Sequence, residues 1–457
     1  MSRRRALESR ASQRDSLYMS AVPDRPALPD VLPIEHGHGP VGGTVRPPGS
    51  KSYTNRALVL AALAEGRSAI EGALFSDDTR HMANGIASIG VRVASDEAKE
   101  RFEVEGCAGR PTARHASVFV GNSGTTARFL APVLALGSGT YELYGDEAMA
   151  KRPIAPLLDA LVSLGVKAAS VRGNGCPPVH IESSGLEGGR VRMAGGISSQ
   201  YFSALLMVAP CTRGGLRIEV EGDLVSKPYI EVTAQAMDAF GVTFKNEGYK
   251  RFEVQPAAYR AGVYKVEPDA SAASYFFAAA ALTGGRVVVP GLGSRSLQGD
   301  LGFVRLLERM GCRVRQTDTE TEVTGPEKLA GIEADMSDLS DTAQTLAAIA
   351  PFAQGPTRVT GIGFIRRKET NRVAAVVAEL RRMGIRADEE DDGFIVHPGV
   401  PAPTDIETYD DHRMAMSFAI AGLAAKGIRI RNPACVSKTF PGFFDALAGL
   451  TGARAPR

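Results

Sequence analysis

Six alanine-rich apolar segments recur along the chain, at 52–66, 123–139, 198–215, 269–285, 341–355 and 411–427, each opened by a small polar residue and closed by glycine. A period of this kind constrains the fold more than any single motif, because a repeated supersecondary unit cannot bury its apolar face alone and must pack on its copies. The opening residues Ser52, Ser123, Ser198, Asp269, Asp341 and Asp411 carry side chains that accept from the free amides of a first helical turn. The closing residues Gly66, Gly139, Gly215, Gly285, Gly355 and Gly427 tolerate a left-handed stop. Each segment therefore predicts a capped helix. The closing glycines are 73, 76, 70, 70 and 72 residues apart, which divides the chain into six similar units.

After each glycine comes a short β-rich run (RSAIEG, TYELYG, LRIEVEG, RVVVPG, TRVTG, IRIRNP), predicted as a strand. A second amphipathic stretch in each unit ends at Gly90, Gly165, Gly241, Gly311 and Gly384, with Gly452 a poorer sixth match. Alternating helix and strand specify the α/β class. At 457 residues the chain exceeds one ordinary core, so three units per domain are expected. The division falls near residue 267: residues 48–266 in one domain, residues 31–47 (with an N-terminal strand around 34–47) plus 267–457 in the other. Residues 1–30 begin Arg- and Ser-rich and predict a disordered extension. A transit peptide is the competing reading, opposed by Glu8, Asp15, Asp24 and Asp30.

Charge sets limits on partners. With 53 basic and 51 acidic residues the net charge is +2, which gives no global field for nucleic acid or an anionic membrane; any anion site must be local. No apolar run reaches the length of a membrane span. Cys107, Cys176, Cys211, Cys312 and Cys435 are scattered without CxxC spacing and read as reduced cytosolic thiols. His36, His38, His81, His115, His180 and His397 lack metal-ligand spacing, and neither a GxSxG elbow nor an HExxH helix occurs. No metal or organic cofactor is expected.

Polar and charged residues gather where loops hand over to helices, where free amides favour anions. In RPPGSKSYTNRAL, at 46–58, a Pro-Gly turn precedes Lys51, Ser52 and Arg56; this is either an anion site or an ordinary solvated first turn, and it is not a GxxxxGK loop. GNSGTTARFL at 121–130 opens a helix with little side-chain bulk, as suits close approach to a phosphate or carboxylate or, equally, a plain turn. SSQY at 198–201 and SKPYIE at 226–231 offer hydroxyls, an amide and Tyr229 to a polyhydroxylated ligand. The C-terminal half adds Asp341, RRKETNR (366–372), DDHRM (410–414) and SKTFP (437–441). On a helix, Lys368 and Arg372 would share a face at i and i+4, a repulsion that an anion would relieve. Arg413 and Lys438, the latter read at a helix start, are further cations of the kind that bind phosphate.

Together with AKRPIAPLLDAL, DASAASYF and SDTAQT, these segments resemble, in order and from about residue 40 to 450, the signatures of the 3-phosphoshikimate 1-carboxyvinyltransferase family. The resemblance implies a two-domain inside-out α/β barrel, with three βαβαββ units per domain, helices inward and two chain crossovers. It implies that phosphoenolpyruvate meets Lys51, the Gly124 amide, Arg152, Arg372, Arg413 and Lys438. Shikimate 3-phosphate would meet Lys51, Ser52, Arg56, Ser198, Ser199, Gln200, Ser226, Tyr229, Asp341 and Lys368. Asp341 becomes the group that orients or deprotonates the 5-hydroxyl, Lys51 and Glu369 those that move a proton at the enolpyruvyl carbon, and His412 a supporting residue. The expectation is a monomeric cytoplasmic enzyme acting on these two small molecules. Two departures from some members are Phe364, where an Asn stands five residues before the glutamate, and Phe129, where a proline stands. The sister family acting on UDP-N-acetylglucosamine, which usually has Lys-Asn at Lys51-Ser52 and a mobile-loop cysteine, is the nearest alternative. A non-catalytic anion-binding scaffold is the other, opposed by the presence of Lys51, Asp341, Glu369, Arg372 and His412.

Overall fold

A computed structural model describes residues 27–452; the extension expected at 1–30 lies almost wholly outside them. All six β-rich runs form strands, and the repeat shows most plainly between residues 115 and 184. Strand His115–Phe119 leads through helix Gly124–Leu136 to strand Ser138–Tyr144; helix Ala155–Ser163 and the hairpin Lys167–Ser170 with Val179–Ser184 complete the unit. The first two strands pair in parallel and the hairpin adds antiparallel to them. Parallel pairing requires a crossover, which the inner helix supplies.

Among the described residues five such four-stranded sheets form, and a sixth has three strands. Two units take their first strand from far along the chain: Val263–Lys265 runs parallel to Glu65–Glu71, and Gly42–Thr44 parallel to Arg286–Pro290. In the three-stranded sheet Thr404–Ile406 and Ile428–Arg431 are parallel, and Val31–Pro33 adds antiparallel. Among the described residues the βαβαββ pattern is complete in five units and one strand short in the sixth. The strand expected around 34–47 is instead two short ones, in two different sheets.

The buried apolar residues form two clusters. One runs from Tyr53 to Tyr264; the other joins Leu32, Val41 and Val45 to residues 270–450. At the heart of the first, helices Lys51–Leu63, Gly124–Leu136 and Ser199–Val208 pack together, and helices Ala270–Thr283, Ala343–Ile349 and His412–Ala424 do the same in the second. Burial on every side explains why these segments are Ala-rich: small side chains let helices approach closely, and apolar residues on all faces mark a helix with no wet side. The chain passes between clusters at two adjacent places, where Ser50 N donates to Glu267 O (2.8 Å) and Asp269 N to Pro48 O (2.9 Å).

Local signals were read correctly at some helix ends and not at others. Ser123, Ser198, Asp269 and Asp411 accept from first-turn amides as N-caps. Ser50, and not Ser52, occupies the cap position before Lys51, and Asp341 lies in a 3-10 turn, Ser340–Thr342, ahead of helix Ala343–Ile349. The closing glycines are mostly not left-handed caps. Gly66 and Gly139 already belong to the following strands, and helix Ala270–Thr283 stops on Gly284, at φ 68°, one residue before Gly285. In contrast, the second-helix glycines, Gly452 included, all have positive φ. No helix among the described residues is long and apolar enough to cross a membrane.

Gly106 shows how tightly a sheet lies on its inner helix: a Cβ there would stand 2.2 Å from Ala64 O and 2.5 Å from Ala61 O. Gly449, inside helix Phe443–Thr451, has nothing within 4 Å. Gly106→Ala should therefore cost about 2–4 kcal/mol, whereas Gly449→Ala should be neutral or stabilise by up to about 1 kcal/mol. Melting temperatures of the two variants check this ordering.

Candidate active site

Ends of inner helices from the two clusters face one another. Asp269 ties them: its Oδ1 accepts from Ala272 N (2.9 Å) in its own helix, and its Oδ2 from Lys51 N (3.0 Å) in the opposite cluster. One carboxylate thereby neutralises two positive helix ends.

Arg372, 1% exposed, organises one wall. Its Nε and Nη2 fork onto Asp411 (2.7 and 3.2 Å), Nη2 also reaches Glu369 Oε2 (2.7 Å), and Nη1 donates to Asp341 Oδ1 (3.1 Å). Arg413 Nη2 takes the other oxygen of Asp341 at 2.6 Å. Burial would push the Asp341 carboxyl up, but Arg413, Lys368, Arg372 and Lys51 outweigh it and hold it far below the usual range. The same competition holds Glu369 low, with Arg372, Arg152 and Lys438 the cations that win. His412 is buried, and among the described residues neither ring nitrogen has a hydrogen-bond partner. Burial, then Arg413 and Lys51, depress it well below its ordinary value, so it is neutral at pH 7.

The facing wall carries Lys51, whose Nζ lies 3.3 Å from Asp78 Oδ2, while Lys438 comes from the opposite cluster to Asp78 Oδ1 (3.0 Å) and Asn122 O (2.6 Å). Arg152 donates to Asn122 O (2.9 Å) and reaches across to Glu369 at 3.5 Å. Its guanidinium lies so close over Gly124 that a Cβ there would stand 2.6 Å from Nη2, so a side chain at this helix start would displace the Arg152 guanidinium. Arg128 donates to Gln200 Oε1 (2.6 Å), and Gln200 to Thr125 Oγ1 (3.2 Å). A cavity of about 310 Å³ is lined by Arg128, Ser198, Tyr201, Phe364 and Lys368 among others. A second, of about 540 Å³, is lined by Arg152, Lys368 and Glu369 among others.

Lys51, Arg152, Lys368, Arg372, Arg413, Lys438, Asp341, Glu369 and Tyr229 are thus brought together, with Gly124, Ser198 and Gln200 at the rim; Ser199 is buried behind them. Several placements differ from the reading of the sequence. Lys368 follows the 3-10 stretch Gly363–Arg367, and Arg372 begins helix Arg372–Arg382, because Asn371 caps that helix by accepting from Ala374 N. The two do not share a helix face. Lys438 ends the 3-10 stretch Pro433–Lys438 and does not start a helix. Arg56 is turned away, donating to Thr233 Oγ1, Ser203 Oγ and the carbonyls of Ser52 and Tyr229, with Phe129 beneath it at 5.2 Å. Ser226 is buried at φ 54°. Residues that the sequence reading missed are Asp78, Asn122, Arg128 and Asp300. Asn122 and Arg128 lie in the GNSGTTARFL segment, whereas no motif points to Asp78, whose partner Lys438 lies 360 positions away.

The bonds of Lys438 to Asp78 and of Arg152 to Glu369 bridge the clusters. Burial alone would raise Asp78, but Lys438 and then Lys51 keep it low. A carboxylate depressed in this way contributes above its ordinary pKa, and the contribution is lost as pH falls through the lowered one. Ligand-free protein should therefore stay compact from neutral pH down to the ordinary carboxylate range and open below it, whereas Asp78→Asn should be more open already at pH 7. Small-angle scattering reads both as an increase in radius of gyration.

The EPSP synthase (3-phosphoshikimate 1-carboxyvinyltransferase) family model matches residues 36–447. A 3-phosphoshikimate 1-carboxyvinyltransferase from Nostoc punctiforme is 46% identical over 416 residues, 91% of this chain and 98% of that protein. One from Trichormus variabilis is 44% identical, over 93% and 100%. Among solved structures, EPSP synthase from Acinetobacter baumannii superposes with TM-score 0.78 at 26% identity, covering 92% of this chain and 98% of that one. The enolpyruvyl transferase NikO from Streptomyces tendae shares the fold, with TM-score 0.71 at 20% identity over 92% and 97%. The inside-out arrangement expected from the sequence is thus the enolpyruvyl transferase fold, and the chain belongs to the EPSP synthase family.

Proposed function

We propose that this chain transfers the enolpyruvyl group of phosphoenolpyruvate to the 5-hydroxyl of shikimate 3-phosphate and releases phosphate. One observation carries the proposal beyond family membership. Among the described residues, Lys51, Arg128, Arg152, Lys368, Arg372, Arg413 and Lys438 have between them only Asp78, Asp341, Glu369 and Asp411 as ion-pair partners. Arg128 and Lys368 have no carboxylate within ion-pair distance among the described residues. Such an excess of half-buried and buried cations is costly unless anions fill it, and both substrates are phosphorylated carboxylates.

Lys51, Arg152, Arg372, Arg413 and Lys438 with the Gly124 amide suit phosphoenolpyruvate. Ser52, Ser198, Ser199, Gln200, Ser226, Tyr229 and Lys368 suit shikimate 3-phosphate, and Arg56 serves through the backbone of Ser52 and Tyr229 that it holds. Phe364 lies 5.9 Å from the Lys368 ammonium and replaces an amide contact with a cation held over a ring.

The reaction needs the 5-hydroxyl proton removed as its oxygen attacks C2, and a proton delivered to C3. Asp341 takes the first role; Lys51 and Glu369 compete for the second. In the ligand-free site both carboxylates are weak bases, because arginines saturate them. Binding of anions would draw Arg372, Arg413 and Arg152 onto the ligands and restore basicity to Asp341 and Glu369 when substrate is present. The same cations then stabilise the charge of the tetrahedral intermediate and departing phosphate.

The two cores support a division into residues 31–47 plus 267–457 and residues 48–266, with closure between them excluding water. The five cysteines are unpaired, which fits a monomer working in the cytoplasm. Phosphate release should require phosphoenolpyruvate together with shikimate 3-phosphate, and turnover of UDP-N-acetylglucosamine alone would overturn the reading. Glu369→Gln should lower kcat roughly 10²- to 10⁴-fold; wild-type turnover in that variant would remove Glu369 from proton transfer.

A further inference from the structure

Asp300 sits in the 3-10 turn Gly299–Gly302 and is 6% exposed. Among the described residues it has no ion-pair partner, its Oδ1 meets no hydrogen-bond partner, and its Oδ2 receives the Ser271 hydroxyl. The same Oδ2 lies 3.2 Å from the Tyr229 hydroxyl, whose oxygen is also 3.4 Å from Asp341 Oδ2. One phenol, with one hydrogen, therefore stands between two carboxyls from different segments. A hydroxyl can donate to only one of them; the pair is fully satisfied when the other carboxyl carries a proton and donates to the phenol oxygen. Two neighbouring carboxyls seldom ionise together, and the environment decides which keeps the proton. Asp341 is gripped by Arg372 and Arg413. Asp300 has Arg413 as its nearby positive influence, with Asp341 and Asp269 opposing ionisation.

Building on the proposed activity, we propose that Asp300 is a positioning residue for Asp341: the two share one proton through the Tyr229 hydroxyl, and Asp300 is the member that carries it in acid. Burial, then the Asp341 charge, push the Asp300 carboxyl up to about 6. Tyr229 itself is raised well above its ordinary value, by burial and then by the Asp300 and Asp341 charges, so it keeps its proton throughout. The other groups facing this chain of hydrogen bonds are Ser271, Asp269 and Arg413, with Arg56 on the far face of the Tyr229 ring at 5.9 Å. As pH rises through the Asp300 value, Asp300 loses its proton, the Tyr229 hydroxyl turns its one hydrogen from Asp341 to Asp300, and Asp341, no longer receiving that bond, becomes the stronger base. As pH falls, the proton returns and Asp341 weakens.

The test is the pH dependence of kcat and KM in wild type, Asp300→Asn and Tyr229→Phe, with infrared titration of the ligand-free proteins. Wild-type kcat should rise through an inflection near pH 6. Asp300→Asn should lose that inflection, with kcat at pH 8 lowered roughly 3- to 10-fold, as expected for a base losing about one unit of basicity. Its KM values should stay within about twofold, since a group making no ligand contact contributes little uniform binding. The neutral-carboxyl stretch that wild type loses as pH rises should be absent from Asp300→Asn. Tyr229→Phe should keep that stretch and lose the kinetic inflection, which tests the link even if the Asn variant fails to fold. An inflection retained in Asp300→Asn or in Tyr229→Phe, or no neutral carboxyl titrating in wild type, would overturn the proposal. Wild type that turns over neither substrate would instead sink the proposed activity, and the infrared result stands apart from it.

Discussion

Seven cations held around four carboxylates are the constraint on which the rest of the structure depends. Like charges at this density repel, and in water they would spread apart. Here the fold fixes them: six inner helices are buried on every side, so their ends, and the loops that lead into them, cannot retreat. Asp341, Glu369, Asp411 and Asp78 act as place-holders for anions. Each is paired with arginine or lysine, and two of the resulting bonds span the gap between clusters. The ligand-free site is thereby stabilised at the expense of its own basicity, and anions from solution relieve both conditions.

Tolerance of this arrangement rests on the two large apolar cores. Removing one partner from a buried ion pair leaves an uncompensated charge and costs about 3–5 kcal/mol. A single pair such as Arg372 with Asp411 therefore makes demands that only extensive burial elsewhere can meet. The neutral state of His412 belongs to the same balance, since a further positive charge beside Lys51 and Arg413 would be opposed by both. Asp300 and Tyr229 extend it to a fifth carboxyl that arginine does not grip.

Much of the architecture was legible because it is local and repeated. The six strand runs, four of the six caps and the second-helix glycines follow from side-chain chemistry within a few residues. What was misread was also local, but decided by tertiary contact. The inner helices stop before their glycines because Gly66 and Gly139 are needed in the next strand, where Gly139 lies against the Arg114 carbonyl. Asn371, a better cap than its neighbours, starts a helix between Lys368 and Arg372 and separates two residues that periodicity had placed together. Asp78 and Asn122 could not be ranked above other polar residues, since Lys438 reaches them from the opposite end of the chain, and Asp300 could not because its neighbours Ser271, Tyr229 and Asp341 come from three separate segments. Arg56 was read as facing a ligand because lysine, hydroxyl and arginine adjoin in sequence, yet its position in the first helix turns it onto Thr233 and Ser203.

A crystal structure with shikimate 3-phosphate and phosphoenolpyruvate, or an unreactive analogue of it, bound together tests the central claim most directly. The account predicts both phosphates and both carboxylates among Lys51, Arg128, Arg152, Lys368, Arg372, Arg413 and Lys438, with the Arg413 bond to Asp341 or the Arg152 contact to Glu369 exchanged for ligand oxygen. Ligands bound elsewhere, or bound here with every one of those ion pairs unchanged, would contradict it.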